Sequence, residues 1–293
     1  MKLLFIGSFT CRRGSSYIER SLDTITPEEM EIDRVSIDDY KGSFDDSPYD
    51  FLMYNSFASE LNPLKFIKEN IYPADDKYHK FNRKKLLLDS HDDGTLDGFE
   101  RFNDKVSPRI KYTPGYEFAK EYNVIGAIPI KIRGFHLWNG EQKKITLVFS
   151  GNKKGFFHNI REVVDDRIRP FKPYEVTIRS KGGYAEILKR TKISVACPGW
   201  GLMGSAHNEA LAAKAVLFSY ETVKKVKLLP FSEMVDGENC VLFNLENLED
   251  KLSYLLANED EIKRIAENGR KAFDEGYLPR KTAELILNYF KGE

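Results

Sequence analysis

Long apolar runs are missing from this chain. No stretch approaches the roughly 18 residues that a bilayer-spanning helix needs, and 31% of the residues are charged. Any membrane contact is therefore expected to be peripheral. The opening run Met1-Lys2-Leu3-Leu4-Phe5-Ile6-Gly7 has too short an apolar core for a secretory signal, and Arg12-Arg13 follow it without a small-residue cleavage site. It reads instead as a first buried strand. Cysteine is scarce: Cys11, Cys197 and Cys240 are odd in number and lack metal-ligand spacing. No disulfide and no zinc are expected, and the compartment is expected to be reducing, hence cytoplasmic. Charge of one sign is missing too. Lys plus Arg and Asp plus Glu number 45 each, a formal net charge of zero, so no global field favours nucleic acid or an anionic membrane. The dinucleotide fingerprint G-x-G-x-x-G is absent after the first strand, because Gly7 and Gly14 do not have its spacing. That excludes a nicotinamide site there. No internal repeat or low-complexity segment occurs.

What the chain does contain is organised around residues 193–243. Ile193 to Cys197 is a short, mostly apolar, β-branched run, as in a strand buried on both faces, and Pro198-Gly199 ends it. Gly199, Gly201 and Gly204 remove three side chains within six residues, so that backbone can approach a ligand. Ser205 then stands where an N-cap belongs. The helix expected from about Ala206 to Ala213 aims free N–H groups and its positive dipole end at that loop, a place for an anion such as a diphosphate. Glu209 in this helix offers a carboxylate to ribose or sugar hydroxyls, or is a capping residue in its first turn. Strands at Ala215 to Ser219 and Cys240 to Phe243 follow, the second after the turn Asp236-Gly237-Glu238-Asn239.

The first half alternates strand and helix patterns, which predicts a parallel sheet with helices on its faces. Strands are expected at Lys2 to Gly7, Glu31 to Ile37, Asp50 to Tyr54 and Lys84 to Asp89, and at Arg109 to Tyr112. A helix is expected at Pro63 to Asn70, and another through Tyr122. The strand ending at Asp89 delivers Ser90-His91-Asp92-Asp93-Gly94 to the carboxyl edge of the sheet, where ligands sit. His91, Asp92 and Asp93 are thus candidate general bases, or simply a polar capped loop. Polar, glycine-containing residues 133–142 mark a hinge. After it, Lys144 to Phe149 is a strand and Ser150 to Gly155 a loop whose Lys153 and Lys154 suit a phosphate, or are merely solvated. Arg179 ends the next expected strand. Helical spacing returns at Leu248 to Leu256 and Ile262 to Phe273, and Pro279 to Phe290 is amphipathic.

The run NEALAAKAVLF, then LPFSEMVDGENCVLF, then LEDKLSYLLANEDEIKRIAENGRKAF resembles the donor-sugar half of GT-B glycosyltransferases, where a glycine loop and a Glu-bearing helix hold the nucleotide sugar and a G-x-N-x-x-x-F turn follows. Leu229-Pro230-Phe231-Ser232-Glu233 is most similar to exostosin-like enzymes, and the layout also resembles the CgeB-like and family-4 groups. The resemblance implies two Rossmann-like domains with a cleft between them. Residues 1–132 would be the acceptor domain and 133–278 the nucleotide-sugar domain, with 279–293 a helix returning to the first. It implies transfer of a sugar from a UDP- or GDP-linked donor to a hydroxyl of a glycan or glycoconjugate. The leaving diphosphate would be met by Lys153, Lys154, Arg179 and the helix start at Gly204 and Ser205. No Asp-x-Asp metal site stands in the expected place, so neither a metal nor a cofactor is expected. Retaining members carry two glutamates eight positions apart, the first matching Glu209. Position 217 is Leu, which leaves stereochemistry open with a lean to inverting. A sugar-nucleotide epimerase, a non-catalytic sugar-nucleotide-binding module and a DNA-modifying glucosyltransferase are the alternatives, the last disfavoured by neutral charge.

Overall fold

The computed structural model describes residues 1–7, 15–37, 39–40, 44–55, 72–89, 108–112, 116–128, 142–150, 158–171, 174–177, 183–199 and 202–293. Its strands are β1 (Lys2–Gly7), β2 (Glu31–Ser36), β3 (Phe51–Asn55), β4 (Lys84–Asp89), β5 (Arg109–Tyr112), β6 (Val124–Ile128), β7 (Ile145–Ser150), β8 (Tyr174–Thr177), β9 (Thr191–Ala196), β10 (Val216–Tyr220) and β11 (Val241–Phe243). Its α-helices are α1 (Ser15–Leu22), α2 (Tyr72–Lys80), α3 (Tyr116–Glu121), α4 (His158–Ile168), α5 (Tyr184–Lys189), α6 (Ser205–Ala212), α7 (Leu248–Ala257), α8 (Glu259–Gly276) and α9 (Pro279–Lys291). The helix expected at residues 63–70 lies outside the described residues.

The chain divides into two compact units, Met1–Lys131 with Leu278–Glu293, and Ile132–Tyr277. The first is built on a six-stranded sheet in the order β2-β1-β3-β4-β5-β6, every pair parallel. Alternation along each strand sends neighbours to opposite faces. Leu3, Phe5, Met53, Leu86, Leu88 and Ile110 join one cluster, whereas Leu4, Ile6, Leu52, Tyr54 and Leu87 join another with Tyr40, Tyr49, Tyr78 and Phe81. The first face is covered by α1 and by α9, whose Ala283, Ile286, Leu287 and Phe290 recur at helical spacing and are all buried. Phe290 stacks on Phe51 with ring centroids 4.8 Å apart, and the Tyr289 hydroxyl donates to the Lys85 carbonyl at 2.7 Å. Arg280 forks onto both carboxylate oxygens of Glu29, and that guanidinium holds the Glu29 carboxyl down at about 2.

Two elements of this unit escape a reading of local pattern. No strand is expected directly after the helix through Tyr122, yet Val124–Ile128 is a full strand pairing with β5. Asn123 turns the chain into it with φ 44°. Gly126 in its middle weakens the sequence signal, and the pairing shifts register between Arg109 and Ile110. Helix α2 was hidden for another reason: its residues YPADDKYHK are polar except at Tyr72, Pro73, Ala74 and Tyr78, so no apolar stripe announces it.

The second unit has a five-stranded parallel sheet ordered β11-β10-β9-β7-β8. Leu147, Phe149, Ile193, Val195, Val216, Phe218, Val241 and Phe243 form one cluster with Val164 and Ile168 of α4 and with Leu248, Leu252, Leu255, Ile262 and Ile265 of α7 and α8. Strand Val241–Phe243 is entered through a turn in which Gly237 has φ +76°, a conformation that suits glycine. The Asn239 amide holds that turn, accepting from the Val235 N–H at 2.8 Å and donating to the Glu233 carbonyl at 2.9 Å. Arg167 and Glu249 form a forked ion pair that ties α4 to α7. No helix among the described residues is long and apolar enough to cross a membrane.

Candidate functional site

Counted within the second unit, the strand order is 2-1-3-4-5 read from its β8 edge, so consecutive connections diverge between β7 and β9. In open α/β sheets that divergence opens a crevice at the carboxyl ends of the strands. β9 ends there at Ala196, and Cys197-Pro198-Gly199 leads from it toward α6, with residues 200–201 outside the described part. The far end of this loop is held where the Thr222 hydroxyl donates to the Leu202 carbonyl at 3.2 Å.

The start of α6 differs from expectation. Ser205 is not the N-cap: Gly204 is, with φ −117° and ψ 173° and no side chain to contribute, and Ser205 is the first helical residue, buried at 3% exposure. His207 takes over the capping. Its Nδ1 lies 3.1 Å from the Gly204 amide nitrogen and 3.0 Å from the Gly204 carbonyl oxygen, accepting from the one or donating to the other according to its tautomer, while the His207 backbone N–H donates to the same carbonyl at 3.1 Å. The other ring nitrogen, Nε2, is buried. That buried Nε2 has no partner among the described residues, nor have the amide oxygen and nitrogen of Asn208. His207 is pushed down to about 4, chiefly because burial penalises the charged ring, with the Arg161 cation acting in the same direction and the Gly204 hydrogen bond opposing. It is neutral at pH 7. Glu209 lies beyond the first turn, which contains no acidic residue, so it does not cap the helix; it is fully buried.

Burial also pushes the Cys197 thiol up to about 12, which excludes a resting thiolate nucleophile at the loop. Cys197 and Cys240 are both buried and free. Among the described residues no group of three or more His, Cys, Asp or Glu side chains is arranged to hold a metal ion.

Gly199 has a local explanation that sequence could not supply. A methyl group added there would sit 2.5 Å from Nη2 of Arg161. Arg161 rises from α4 and donates from Nε to the Pro198 carbonyl at 2.7 Å and from Nη2 to the Cys197 carbonyl at 3.4 Å. The side chain thus packs where a Cβ would be, and the glycine is required by that contact. Beside Gly204, by contrast, nothing lies within 4 Å of such a methyl. Arg161 was missed because its partners are backbone carbonyls 36 and 37 residues away, which leave no mark in sequence spacing. Of the other expected site residues, His91, Asp92, Asp93, Lys153, Lys154, Arg179 and Gly201 lie outside the described residues.

Comparison with known proteins accords with this geometry. The model of the family described as Glycosyl transferase-like matches residues 144–288. No curated protein matches the chain. Among solved structures, Anabaena HepE in complex with UDP and glucose is similar over 100% of both chains, at 9% identity and a TM-score of 0.59. An α-glucosyltransferase in complex with UDP and a 13-mer DNA is similar over 98% of this chain and 99% of that one, at 9% identity and a TM-score of 0.58. TarM is similar over 82% of this chain, at 13% identity and a TM-score of 0.51, and the match spans 54% of that protein. Residues 144–288 match the glycosyl transferase-like family, and the chain has the two-sheet fold of the GT-B glycosyltransferases.

Proposed function

We propose that this protein transfers a sugar from a nucleotide-diphosphate sugar to a hydroxyl of a glycan or glycoconjugate, with the donor's diphosphate at the start of α6. The observation that carries the reading is the arrangement at the end of β9: a glycine-containing loop at the divergence point of the sheet leads into a helix N-terminus that no side chain of its N-cap residue covers. Helix N–H groups there favour an anion through both hydrogen bonds and the dipole. Lys153, Lys154 and Arg179 are assigned to the same leaving diphosphate, and Glu209 to a ribose or sugar hydroxyl. Charge developing on the departing diphosphate is met by fixed donors of this kind, which supports a metal-independent reaction. His91, Asp92 and Asp93 are assigned to the acceptor, one of them accepting its proton in an inverting displacement. Solved structures of similar fold are named as complexes with UDP.

Thermal-shift measurement across nucleotide sugars tests the donor. A ligand at a hundred times its dissociation constant stabilises by about 2.7 kcal/mol, and a flat response to every UDP- and GDP-linked sugar would refute the proposal. A nucleic-acid acceptor is the second reading, favoured by the similarity to the α-glucosyltransferase named with DNA. Against it stands the formal net charge of zero. Tight duplex binding at low salt, with a steep salt dependence, would revive it.

A further inference from the structure

The end of β9 holds a charged group that the donor-site assignments above leave out. Arg161 belongs to the connection after β7, whereas the carbonyls it holds belong to the connection after β9, and β7 and β9 are the two neighbouring strands at which the sheet's connections diverge. Its guanidinium therefore bridges the divergence point beneath the loop. Two successive carbonyl oxygens in such a loop would present partial negative charge to any anion bound there. A guanidinium that takes both as hydrogen-bond acceptors offsets those dipoles. Gly199 completes the device, since the guanidinium occupies the space of its missing side chain.

Building on the donor reading above, we propose that Arg161 is a positioning residue of the donor site: by holding the Cys197 and Pro198 carbonyls against Gly199 it fixes the loop and makes the α6 N-terminus selective for the diphosphate of the donor. A merely structural tie would lower stability and weaken every ligand alike. A positioning role predicts a loss that follows the phosphates and leaves the nucleoside untouched.

The experiment is calorimetric binding of UDP, UMP and uridine, and of GDP and guanosine, to the full chain and to Arg161→Gln, Arg161→Lys and Arg161→Ala, each first checked for a cooperative thermal transition. For whichever nucleotide the parent chain binds, Arg161→Gln is expected to weaken the diphosphate about tenfold or more. The same variant should change the nucleoside less than about twofold, and Arg161→Lys should recover part of the loss. Gly199→Ala is expected to reproduce the loss in the parent chain but to add little in the Arg161→Ala background, because the clash it creates is with the guanidinium. Should Arg161→Ala fail to fold, the Gln and Lys variants still carry the diphosphate-to-nucleoside comparison. An unchanged ratio in folded Arg161 variants of a chain that binds UDP or GDP overturns this inference and spares the donor reading. Strictly additive effects of Gly199→Ala and Arg161→Ala do the same. A parent chain that binds none of the nucleotides overturns the donor reading and this one with it.

Discussion

Two sheets wound in the same 2-1-3-4-5 order, with β6 added in the first unit, bury their polar groups in different places. In the first unit two cations, Arg109 and Lys111, are fully buried on the interior strand β5, and Arg109 lies over the Tyr122 ring with its guanidinium carbon 5.4 Å from the centroid. In the second the described strand residues bury nothing more polar than Thr191, Ser194 and Ser219, and the polar burial is concentrated in Ser205, His207, Asn208 and Glu209 on α6. The two units also close their cores differently. The second is covered by helices from its own contiguous span, while one face of the first relies on α9, about two hundred residues from the strand whose carbonyl Tyr289 binds, 204 positions on from Lys85. The contrast teaches that a shared topology does not dictate where a domain carries its polar burden. The second unit places it at the carboxyl edge, where a parallel sheet accepts ligands.

The largest way to sharpen the comparison is Phe290→Ala. Phe290 is buried against Phe51 and the rest of the first unit's core, and truncating a buried Phe costs about 3–5 kcal/mol. Both tryptophans, Trp138 and Trp200, lie within the span of the second unit. Thermal melting should therefore show the far-UV circular dichroism transition of the first unit moving down well ahead of the tryptophan fluorescence transition. Equal shifts in both signals would break the contrast between a unit closed from afar and one closed locally.

His207 comes next. Its folded value, about 4, lies below the ordinary 6.5, so between those pH values the unfolded chain binds more protons than the folded one. Stability then rises with pH across that window: the contribution is fully present above about pH 6.5 and is lost as pH falls toward 4. The shift corresponds to something on the order of 3 kcal/mol. Urea unfolding at pH 7 and pH 4.5, followed by tryptophan fluorescence, should show this loss in the parent chain and a much flatter profile in His207→Gln. A His207→Gln profile as steep as the parent's would place the acid sensitivity elsewhere.

Gly269→Ala gives the smallest of the three effects. Replacing a helical Gly by Ala ordinarily gains about 1 kcal/mol, but here the methyl would meet the Asn239 carbonyl oxygen at 2.7 Å and Leu211 Cδ2 at 3.0 Å. Overpacking of that kind costs about 1–3 kcal/mol. Net destabilisation is expected in the fluorescence-detected transition, and net stabilisation would show that α8 stands off the turn at Asn239 and the end of α6.

Much of the fold was legible because it depends on local pattern. Apolar runs at Lys2–Gly7, Lys84–Asp89 and Ile193–Cys197 read as strands, and the structure pairs strands Lys2–Gly7, Lys84–Asp89 and Thr191–Ala196 in parallel; helical spacing at Leu248–Leu256 and Ile262–Phe273 falls in the helices Leu248–Ala257 and Glu259–Gly276. Strand β6 and helix α2 were not legible, since a mid-strand glycine blurred one and a polar composition hid the other. At the site, the glycine loop leading into a helix was visible as spacing. The assignment of the cap to Ser205 was not correct, because which residue becomes N-cap is decided by backbone dihedrals, and with glycine at that place the contact runs the other way, from the His207 ring to the Gly204 backbone.

Sequence alone determined the things that short-range chemistry decides: alternation that makes strands two-faced, glycine and proline that end them, and a charge balance without a global field. Tertiary structure alone decided which residues those elements bring together. Arg161 and Gly199 are 38 positions apart, and only the parallel pairing of β7 with β9 sets the guanidinium against the glycine. In the same way only the packing of α9 on the first sheet makes Phe51 and Phe290 neighbours. Contacts of this kind leave no periodicity in the chain, because the loop-closure entropy they cost is repaid by burial and hydrogen bonds that exist only once the sheet has formed.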